Sequence, residues 1–309
     1  MTNEIKITTG SRLHAGFYYA GSEWSINWGS AGFYIDKPSF EAYFSIDKKQ
    51  FEGPNYIKQI IDKVASLLNI RDYSVRVSSY IPEHIGLGST TQITLATITC
   101  FKMLYGLNIN SNEIIDKLGI NKYSGVGSLL FNKGGFIADS GVPDKHGPRE
   151  LISLRIPEKW KFVWVLPNKS KGLDDAKESI IMKIPWNVSE GVKGLMSNGL
   201  LRLASGIARE DIEDTLEGLR TIQEGTGLYF SKIQGGVFRN DLTKIASEAW
   251  RSRMILAQSS WGPILYTISR EDEAEGDADL LKFILNELKI KGEVFISNPR
   301  NKGYEIVKS

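Results

Sequence analysis

The chain has 309 residues, which is enough for one large domain or two interleaved lobes with a substantial core. Its 38 basic and 36 acidic residues leave a formal net charge of +2, so bulk charge gives no reason to expect nucleic acid or a membrane surface as a partner. The single cysteine, Cys100, excludes an internal disulfide and a cysteine-based metal site. A phosphorylated ligand would need a local cluster of donors.

Two absences bear on where the protein acts. The first residues contain no basic region followed by an apolar block, so a signal peptide is not expected. No run approaches the ~18 apolar residues of a membrane span. The expected location is the cytoplasm.

The first half alternates strands with helices, including a short helix predicted over residues 111–118. Alternating apolar residues predict strands over residues 4–9, 31–35 and 40–46, with a turn at residues 36–39 between the last two. Apolar residues at helical spacing predict a helix over residues 56–68. A loop with one proline and two glycines, residues 81–89, then leads into a long apolar helix over residues 90–105.

The second half is richer in helices. Strands are predicted at residues 151–155 and 162–166, which we expect to pair, and at residues 253–257 and 264–269, which flank a tight loop. Helices are predicted over residues 173–181, 188–208, 211–226 and 274–288, followed by strands over residues 292–296 and 304–307. This order predicts an α+β fold of two interleaved lobes, residues 1–150 and 151–309.

The strongest local signal is Gly-Leu-Gly-Ser-Thr-Thr-Gln at residues 86–92, where a loop enters a helix. Glycines permit close backbone approach, and the first amides of a helix favour an anion. One interpretation is a phosphate or pyrophosphate site; the other, equally weighted on local sequence, is a cap that starts the helix. The candidate phosphate ligands are Gly86, Gly88, Ser89, Thr90, Thr91 and Gln92.

These motifs carry a family resemblance. Residues 81–89 resemble the Pro-x-x-x-Gly-Leu-Gly-Ser loop of the GHMP kinases, and residues 90–92 resemble the Thr-Gln form found in archaeal β-ribofuranosylaminobenzene 5'-phosphate synthases. Three further segments resemble that synthase branch in the same order along the chain. They are Ser-Arg-Leu-His at residues 11–14, Ser-Gly-Val-Gly at 124–127 with Gly-Gly-Phe-Ile-Ala-Asp-Ser-Gly at 134–141, and Gln-Ser-Ser-Trp-Gly-Pro at 258–263.

The resemblance implies a fold and a reaction. The fold is that of the GHMP kinases, with an N-terminal lobe like ribosomal protein S5. The reaction is a transferase step that condenses a 4-aminobenzoate-type acceptor with phosphoribosyl pyrophosphate and releases CO2 and pyrophosphate, toward methanopterin-type cofactors. Mg²⁺ is the implied cofactor. The expected partners are small molecules, and whether the chain acts as a homodimer is left open by the sequence.

Two rival functions remain open, and Gly127 bears on the first of them. Many GHMP kinases carry an Asp at this place as the candidate base, and glycine has no proton-accepting side chain. The first rival is nevertheless an ATP-dependent small-molecule kinase, because some kinases of the superfamily work without that Asp. The second is a ligand-binding homologue that has lost catalysis.

Three residues are candidates for catalysis. Arg12 and His14 lie two apart and share one face of a strand, where Arg12 would bind phosphate and His14 would donate to the ribose or shuttle a proton. The alternative is an exposed arginine and a hydrogen-bonded histidine at a strand end. Asp139 would hold Mg²⁺; the alternative is an aspartate that caps a turn.

The C-terminal loop supplies the candidate substrate-binding residues. They are Gln258, Ser259, Ser260, Trp261 and Gly262. The serines would donate to phosphate, Gln258 would contact a hydroxyl or carboxylate, and Trp261 would form a flat wall against an arene. The alternative for Trp261 is a side chain that fills a core corner. Asp174 and Asp175 are expected to cap a helix.

Overall fold

The computed structural model describes residues 4–20, 28–141, 147–167, 172, 179–184 and 188–308. The strands are β1 (Glu4–Ala20), β2 (Trp28–Ser45), β3 (Gln50–Glu52), β4 (Ser74–Ser79), β5 (Phe136–Asp139), β6 (Glu150–Leu154), β7 (Trp160–Pro167), β8 (Ala257–Gln258), β9 (Leu265–Arg270), β10 (Gly292–Ser297) and β11 (Glu305–Lys308). The helices are α1 (Asn55–Leu67), α2 (Ser89–Tyr105), α3 (Ser111–Lys117), α4 (Val126–Lys133), α5 (Glu190–Ala208), α6 (Ile212–Tyr229), α7 (Ser231–Gln234), α8 (Thr243–Arg251) and α9 (Ala274–Glu287).

Two sheets organise these elements. The first has the order β11-β1-β2-β4-β3, with β5 paired to β2 and β6 paired to β5; the second has the order β10-β7-β9-β8. Both β6, which begins at the predicted lobe boundary, and the C-terminal strand β11 belong to the first sheet. The chain therefore leaves the first lobe and returns to it, which confirms the predicted α+β class of interleaved lobes.

The first sheet is built on the long hairpin of β1 and β2. Residues 36–39, predicted as a turn, instead form a bulge within β2, because Thr9 pairs with Phe40 and Ser11 pairs with Ile35. The turn prediction was wrong because long-range partners hold the bulge in the sheet. Ser11 Oγ donates to the Pro38 carbonyl oxygen, and the Asp36 carboxylate accepts from Asn298, which lies beyond β10.

The main predicted helices are confirmed as α1, α2, α5, α6 and α9, with ends that differ by at most three residues. The helix predicted over residues 173–181 lies mostly outside the described residues, together with Asp174 and Asp175. The predicted pairing of the strands at 151–155 and 162–166 was wrong. β7 is buried between β9 and β10, whereas β6 is an edge strand on β5.

Burial explains why these strands and helices pack together. Apolar residues of β1 and β2 alternate inward, and α1 and α2 cover them with Ile57, Ile61, Ile93 and Phe101. A second apolar cluster lies between the second sheet and α8 and α9. No helix in the described part of the chain combines the length and the apolar character needed to cross a bilayer.

Candidate functional site

The predicted loop over residues 81–89, here called the phosphate loop, leads into α2 at Ser89. Gly88 occupies the N-cap of α2 with φ 72°, a left-handed conformation that favours glycine. The side chain of Arg12 crosses this point, since a Cβ on Gly88 would lie 3.4 Å from Arg12 Nε. The Arg12 backbone N–H donates to the Leu87 carbonyl oxygen at 3.0 Å, which fixes β1 against the loop. A guanidinium therefore stands beside the positive end of a helix, an arrangement suited to an anion.

The C-terminal loop packs backbone to backbone against the phosphate loop. A Cβ on Gly262 would overlap the Ile85 carbonyl oxygen, and a Cβ on Gly86 would overlap the Ser259 carbonyl oxygen. Ser259 Oγ donates to the Gly86 carbonyl oxygen at 2.6 Å and accepts from the His14 backbone N–H at 2.9 Å. The glycines are thus needed for close approach, and Ser259 joins three distant segments.

Three predicted ligands are used inside the protein. Gln92 Oε1 accepts from Tyr34 Oη at 2.7 Å and its Nε2 donates to the Gly127 carbonyl oxygen at 2.9 Å. Gln258 Oε1 accepts from the Arg239 backbone N–H at 3.0 Å and its Nε2 donates to the Ser260 carbonyl oxygen at 2.8 Å. These side chains and Ser259 are buried and already hydrogen-bonded within the protein, so the geometry gives no support to a contact with substrate, which stays a prediction.

Asp139 is also internal. Its Oδ1 accepts from the backbone N–H groups of Ser30 at 2.9 Å and Gly141 at 3.0 Å. Its Oδ2 accepts from Ser30 Oγ at 2.6 Å and from the Gly125 N–H at 2.8 Å. Burial raises the pKa of this carboxyl, and these hydrogen bonds oppose the shift. With no exposed surface and four donors, Asp139 offers no open oxygen to a metal in this structure, so the geometry gives no support to its predicted Mg²⁺ role.

What Asp139 does instead is position the segment that precedes α4. Ser124 Oγ lies 2.7 Å from Ser30 Oγ, so the carboxylate, Ser30 and Ser124 form one chain of hydrogen bonds. Gly125 is held directly by the carboxylate. Ser124 lines the cavity described next, so Asp139 is a positioning residue for one wall of that cavity.

A cavity of about 470 Å³, here called the central cavity, opens beside the phosphate loop. Its described lining consists of Arg12, His14 and Phe17 from β1; Tyr56, Gln59, Ile60 and Lys63 from α1; Thr90, Thr91 and Thr94 from α2; residues 118–124; and Glu83, His84, Ser179 and Ser260. A smaller cavity next to it is lined by Gly86, Gly88, Ser89, Gly172, Trp261 and Gly262, together with Arg12, His84, Thr90, Thr91 and Ser260. The structure thus brings Arg12, His14, the phosphate loop and Ser260 together.

His14 has the most unusual environment on this wall. The residue is 3% exposed, and its backbone N–H and carbonyl are hydrogen-bonded to Ser259 and Tyr266, whereas its ring nitrogens form no hydrogen bond with any described residue. Burial, and secondarily the cation of Arg12, hold the pKa of His14 well below its usual value. The imidazole is therefore neutral near pH 7 and can accept a proton or a hydrogen bond.

An aromatic cluster lies directly behind His14. The ring of Phe17 is 5.0 Å from that of His14 and 6.0 Å from that of Phe230, and Phe230 packs edge-on against Trp261 at 4.8 Å. A side cavity of about 30 Å³ runs between these rings. Trp261 is 8% exposed, so most of its surface lies in the cluster, as the core alternative expects. Its contact with an arene stays a prediction.

The neutral state of His14 leads to a pH prediction. Because its pKa is lowered by folding, the unfolded chain takes up a proton at a higher pH than the folded chain. The contribution of His14 to the free energy of unfolding is fully present above the unfolded pKa of ~6.5, and it decreases as the pH is lowered below that value. Melting temperatures measured from pH 8 to pH 5 should show this slope in the parent and a smaller slope in His14→Gln. An identical slope in the parent and in His14→Gln would show that His14 titrates normally.

Sequence reasoning missed several residues of the cavity wall. Tyr56, Gln59, Ile60 and Lys63 line the central cavity from one face of α1, and their i, i+3, i+4, i+7 spacing was the available signal. Lys122, Tyr123 and Ser179 carried no signal, because only the tertiary fold brings them to the cavity.

Comparisons with known proteins agree with this geometry. The model of the GHMP kinases N terminal domain matches residues 55–128, which contain α1, the phosphate loop and α2. The chain is 25% identical over 340 residues to a β-ribofuranosylphenol 5'-phosphate synthase of Methanocaldococcus jannaschii, covering 97% of this chain and 99% of that protein. The chain has the fold of the GHMP kinases and is similar to these synthases over nearly its whole length.

Two further similarities, one in sequence and one in fold, are of the same kind. A synthase of the same name from Archaeoglobus fulgidus is 26% identical over 249 residues, covering 76% of this chain and 77% of that protein. The crystal structure of a homoserine kinase from Cytophaga hutchinsonii superposes with a TM-score of 0.71 at 14% identity, covering 99% of this chain and 98% of that chain. The GHMP fold predicted from the motifs is confirmed, with small-molecule enzymes as its relatives.

Proposed function

We propose that this GHMP protein joins phosphoribosyl pyrophosphate to a benzoate that carries an electron-donating para substituent. The ring carbon bearing the carboxylate would bond to C1 of the ribose, with release of pyrophosphate and CO2. Two relatives are named for a ribofuranosylphenol product, which extends the acceptor from the 4-aminobenzoate type to the 4-hydroxybenzoate type. A C-riboside of this kind would serve the synthesis of methanopterin-type cofactors, as the resemblance implies.

The position of His14 is the observation that carries this proposal. Its neutral ring lies on the wall of the central cavity, two residues from the cation of Arg12 and in contact with the aromatic ring of Phe17. An anion-binding group, a proton acceptor and an aromatic surface are the three needs of a reaction between a sugar pyrophosphate and an arene. Phosphoryl transfer to an alcohol needs the first two and does not itself require the third.

The residues of the chain would act at distinct atoms. Arg12 and the first amides of α2 would bind the pyrophosphate, which leaves with the electron pair of its bond to C1. The ring carbon attacks C1 while His14 accepts the proton of the para hydroxyl or amino group. When the carboxylate leaves as CO2, its bonding pair restores the aromatic ring and His14 returns the proton. Phe17 and the cluster behind it would exclude water from C1.

Mg²⁺ remains the proposed cofactor, but with ligands other than Asp139. The described residues contain no group of three side chains able to hold a metal ion, and Asp139 does not fit the role. Glu83 is the one carboxylate among the described residues of the central cavity. Mg²⁺ is commonly held by one or two carboxylates and substrate phosphates, so Glu83 and the pyrophosphate are the candidate ligands. The ion would neutralise charge on the pyrophosphate.

Gly127 weakens the kinase alternative, because glycine has no side chain that could act as the base. A Cβ there would lie 3.2 Å from Thr91 Cγ2, so a side chain at this position would need Thr91 to move. We therefore expect no efficient transfer of phosphate from ATP to an alcohol. A ligand-binding homologue without catalysis is the remaining alternative.

One experiment separates the three functions. The protein is incubated with 4-hydroxybenzoate or 4-aminobenzoate and, in parallel, with phosphoribosyl pyrophosphate or ATP, and pyrophosphate, CO2 and ADP are measured. We expect equal amounts of pyrophosphate and CO2 with the first donor and no acceptor-dependent ADP with the second. ADP formed at ordinary enzyme rates would favour the kinase, and binding without turnover would favour the ligand-binding protein.

A further inference from the structure

The charges on the wall of the central cavity are unbalanced. Arg12, Lys63 and Lys122 are cationic, and Glu83 is the one carboxylate among the described lining residues. Glu83 itself lies 3.3 Å from His84 Nε2. Lys63 forms no ion pair with any described residue. An excess of positive charge on a cavity wall favours a polyanionic ligand, although the chain as a whole is nearly neutral.

Lys122 belongs to a compact group of polar side chains. Its Nζ donates to Ser179 Oγ at 2.9 Å, and Tyr123 Oη donates to the same oxygen at 3.2 Å. Ser179 Oγ accepts both bonds, so its own proton is available to donate, and the ammonium group keeps two further N–H donors. All three residues line the central cavity. Such converging donors with one full charge suit the oxygens of a phosphate monoester.

The position of Lys63 places a second cation away from the phosphate loop. Tyr56 Oη donates to the carbonyl oxygen of Ile81, where the loop begins, at 2.6 Å. Lys63 follows seven residues later on the same face of α1, which is about 10 Å along the helix axis. Arg12 and Gly88 mark the anion site at the loop. A ligand that contacts both Arg12 and Lys63 would need two separate negative groups.

We propose that Lys122, Tyr123 and Ser179, with Lys63 from α1, form a second anion subsite that binds the 5'-phosphate of the phosphoribosyl donor. This inference rests on the proposed function for the identity of the donor. It assigns the two ends of one substrate to two sites: pyrophosphate to Arg12 and the start of α2, and the phosphate monoester to the lysines. The acceptor carboxylate is the competing ligand for the same group.

The test uses four probes in titration calorimetry: phosphoribosyl pyrophosphate, inorganic pyrophosphate, ribose 5-phosphate and the acceptor 4-hydroxybenzoate. Lys122→Met keeps a long aliphatic side chain and removes the ammonium group, whose nitrogen lies 5.1 Å from the centroid of the Tyr123 ring. We expect this variant to bind phosphoribosyl pyrophosphate and ribose 5-phosphate about tenfold to a hundredfold more weakly than the parent. Its affinity for pyrophosphate should be unchanged. Lys63→Met should act in the same direction. Lys58→Met is the matched control, because Lys58 lies on α1, pairs with Asp62 and does not line the cavity.

The outcomes separate this inference from the function on which it rests. If the lysine variants lost affinity for pyrophosphate and for ribose 5-phosphate equally, both probes would share one anion site. That result would overturn the proposed second subsite. Unchanged sugar-phosphate binding with weaker acceptor binding would assign the lysines to the carboxylate and overturn it as well. If ribose 5-phosphate binding depends on Lys122 but no C-riboside forms in the parent, the subsite stands and the proposed reaction fails.

Discussion

Arg12→Ala is expected to weaken the binding of phosphoribosyl pyrophosphate by about a hundredfold to a thousandfold. The guanidinium lies against Gly88 at the start of α2, and both line the cavity beside the phosphate loop. Removing one member of a desolvated, hydrogen-bonded charge pair costs about 3–4 kcal/mol. The fold should survive, because the Arg12 backbone N–H still donates to the Leu87 carbonyl oxygen.

A second readout distinguishes a direct role of Arg12 from a structural one. The Arg12 cation is one of the two causes that lower the pKa of His14, so its removal should raise that pKa. Activity of Arg12→Ala should therefore fall toward acid pH earlier than activity of the parent. Arg12→Lys is the matched control and should keep the pH profile while losing about tenfold in affinity. An affinity for the donor within threefold of the parent would remove Arg12 from the site.

Asp139→Asn is expected to lower the free energy of unfolding by about 2–4 kcal/mol. Four donors converge on the carboxylate, and an amide replaces one acceptor oxygen with an NH2 group that faces two of them. The melting temperature should fall by roughly 5–10 °C. The dependence of activity on Mg²⁺ should be unchanged in shape, because the carboxylate has no oxygen free to hold the ion.

The control for this variant is Asp116→Asn, an exposed aspartate on α3. It should melt within about 1 °C of the parent, since surface substitutions have small effects. The account of Asp139 would be contradicted if Asp139→Asn kept the melting temperature of the parent and required much more Mg²⁺ for activity.

The local parts of the site could be predicted from the sequence. The Gly-Leu-Gly-Ser segment with a long apolar run behind it specifies a loop that enters a helix, and Arg12 and His14 share a strand. These features depend on residues close in the chain, where spacing determines which side chains lie together. The same reasoning identified the helices that pack on the first sheet.

Partners distant in sequence could not be predicted. Gln92 follows Thr91 on α2, yet Thr91 lines the cavity and Gln92 points inward to Tyr34 and Gly127. Asp139 receives two of its hydrogen bonds from Ser30, 109 residues earlier. Ser259 Oγ is hydrogen-bonded to the His14 backbone N–H and to the Gly86 carbonyl oxygen, both of which lie far from it in the sequence. A polar residue beside a glycine has the same local pattern whether it faces a ligand or a buried donor.

The most direct test of the proposed reaction is to observe the bond that it forms. The protein is given phosphoribosyl pyrophosphate labelled with carbon-13 at ribose C1 and 4-hydroxybenzoate labelled at the ring carbon that bears the carboxylate. The product is then examined by NMR. The proposal predicts a one-bond coupling between the two labelled carbons, with the carboxyl group lost. A product joined through oxygen or nitrogen, without that coupling and with the carboxyl group retained, would contradict it.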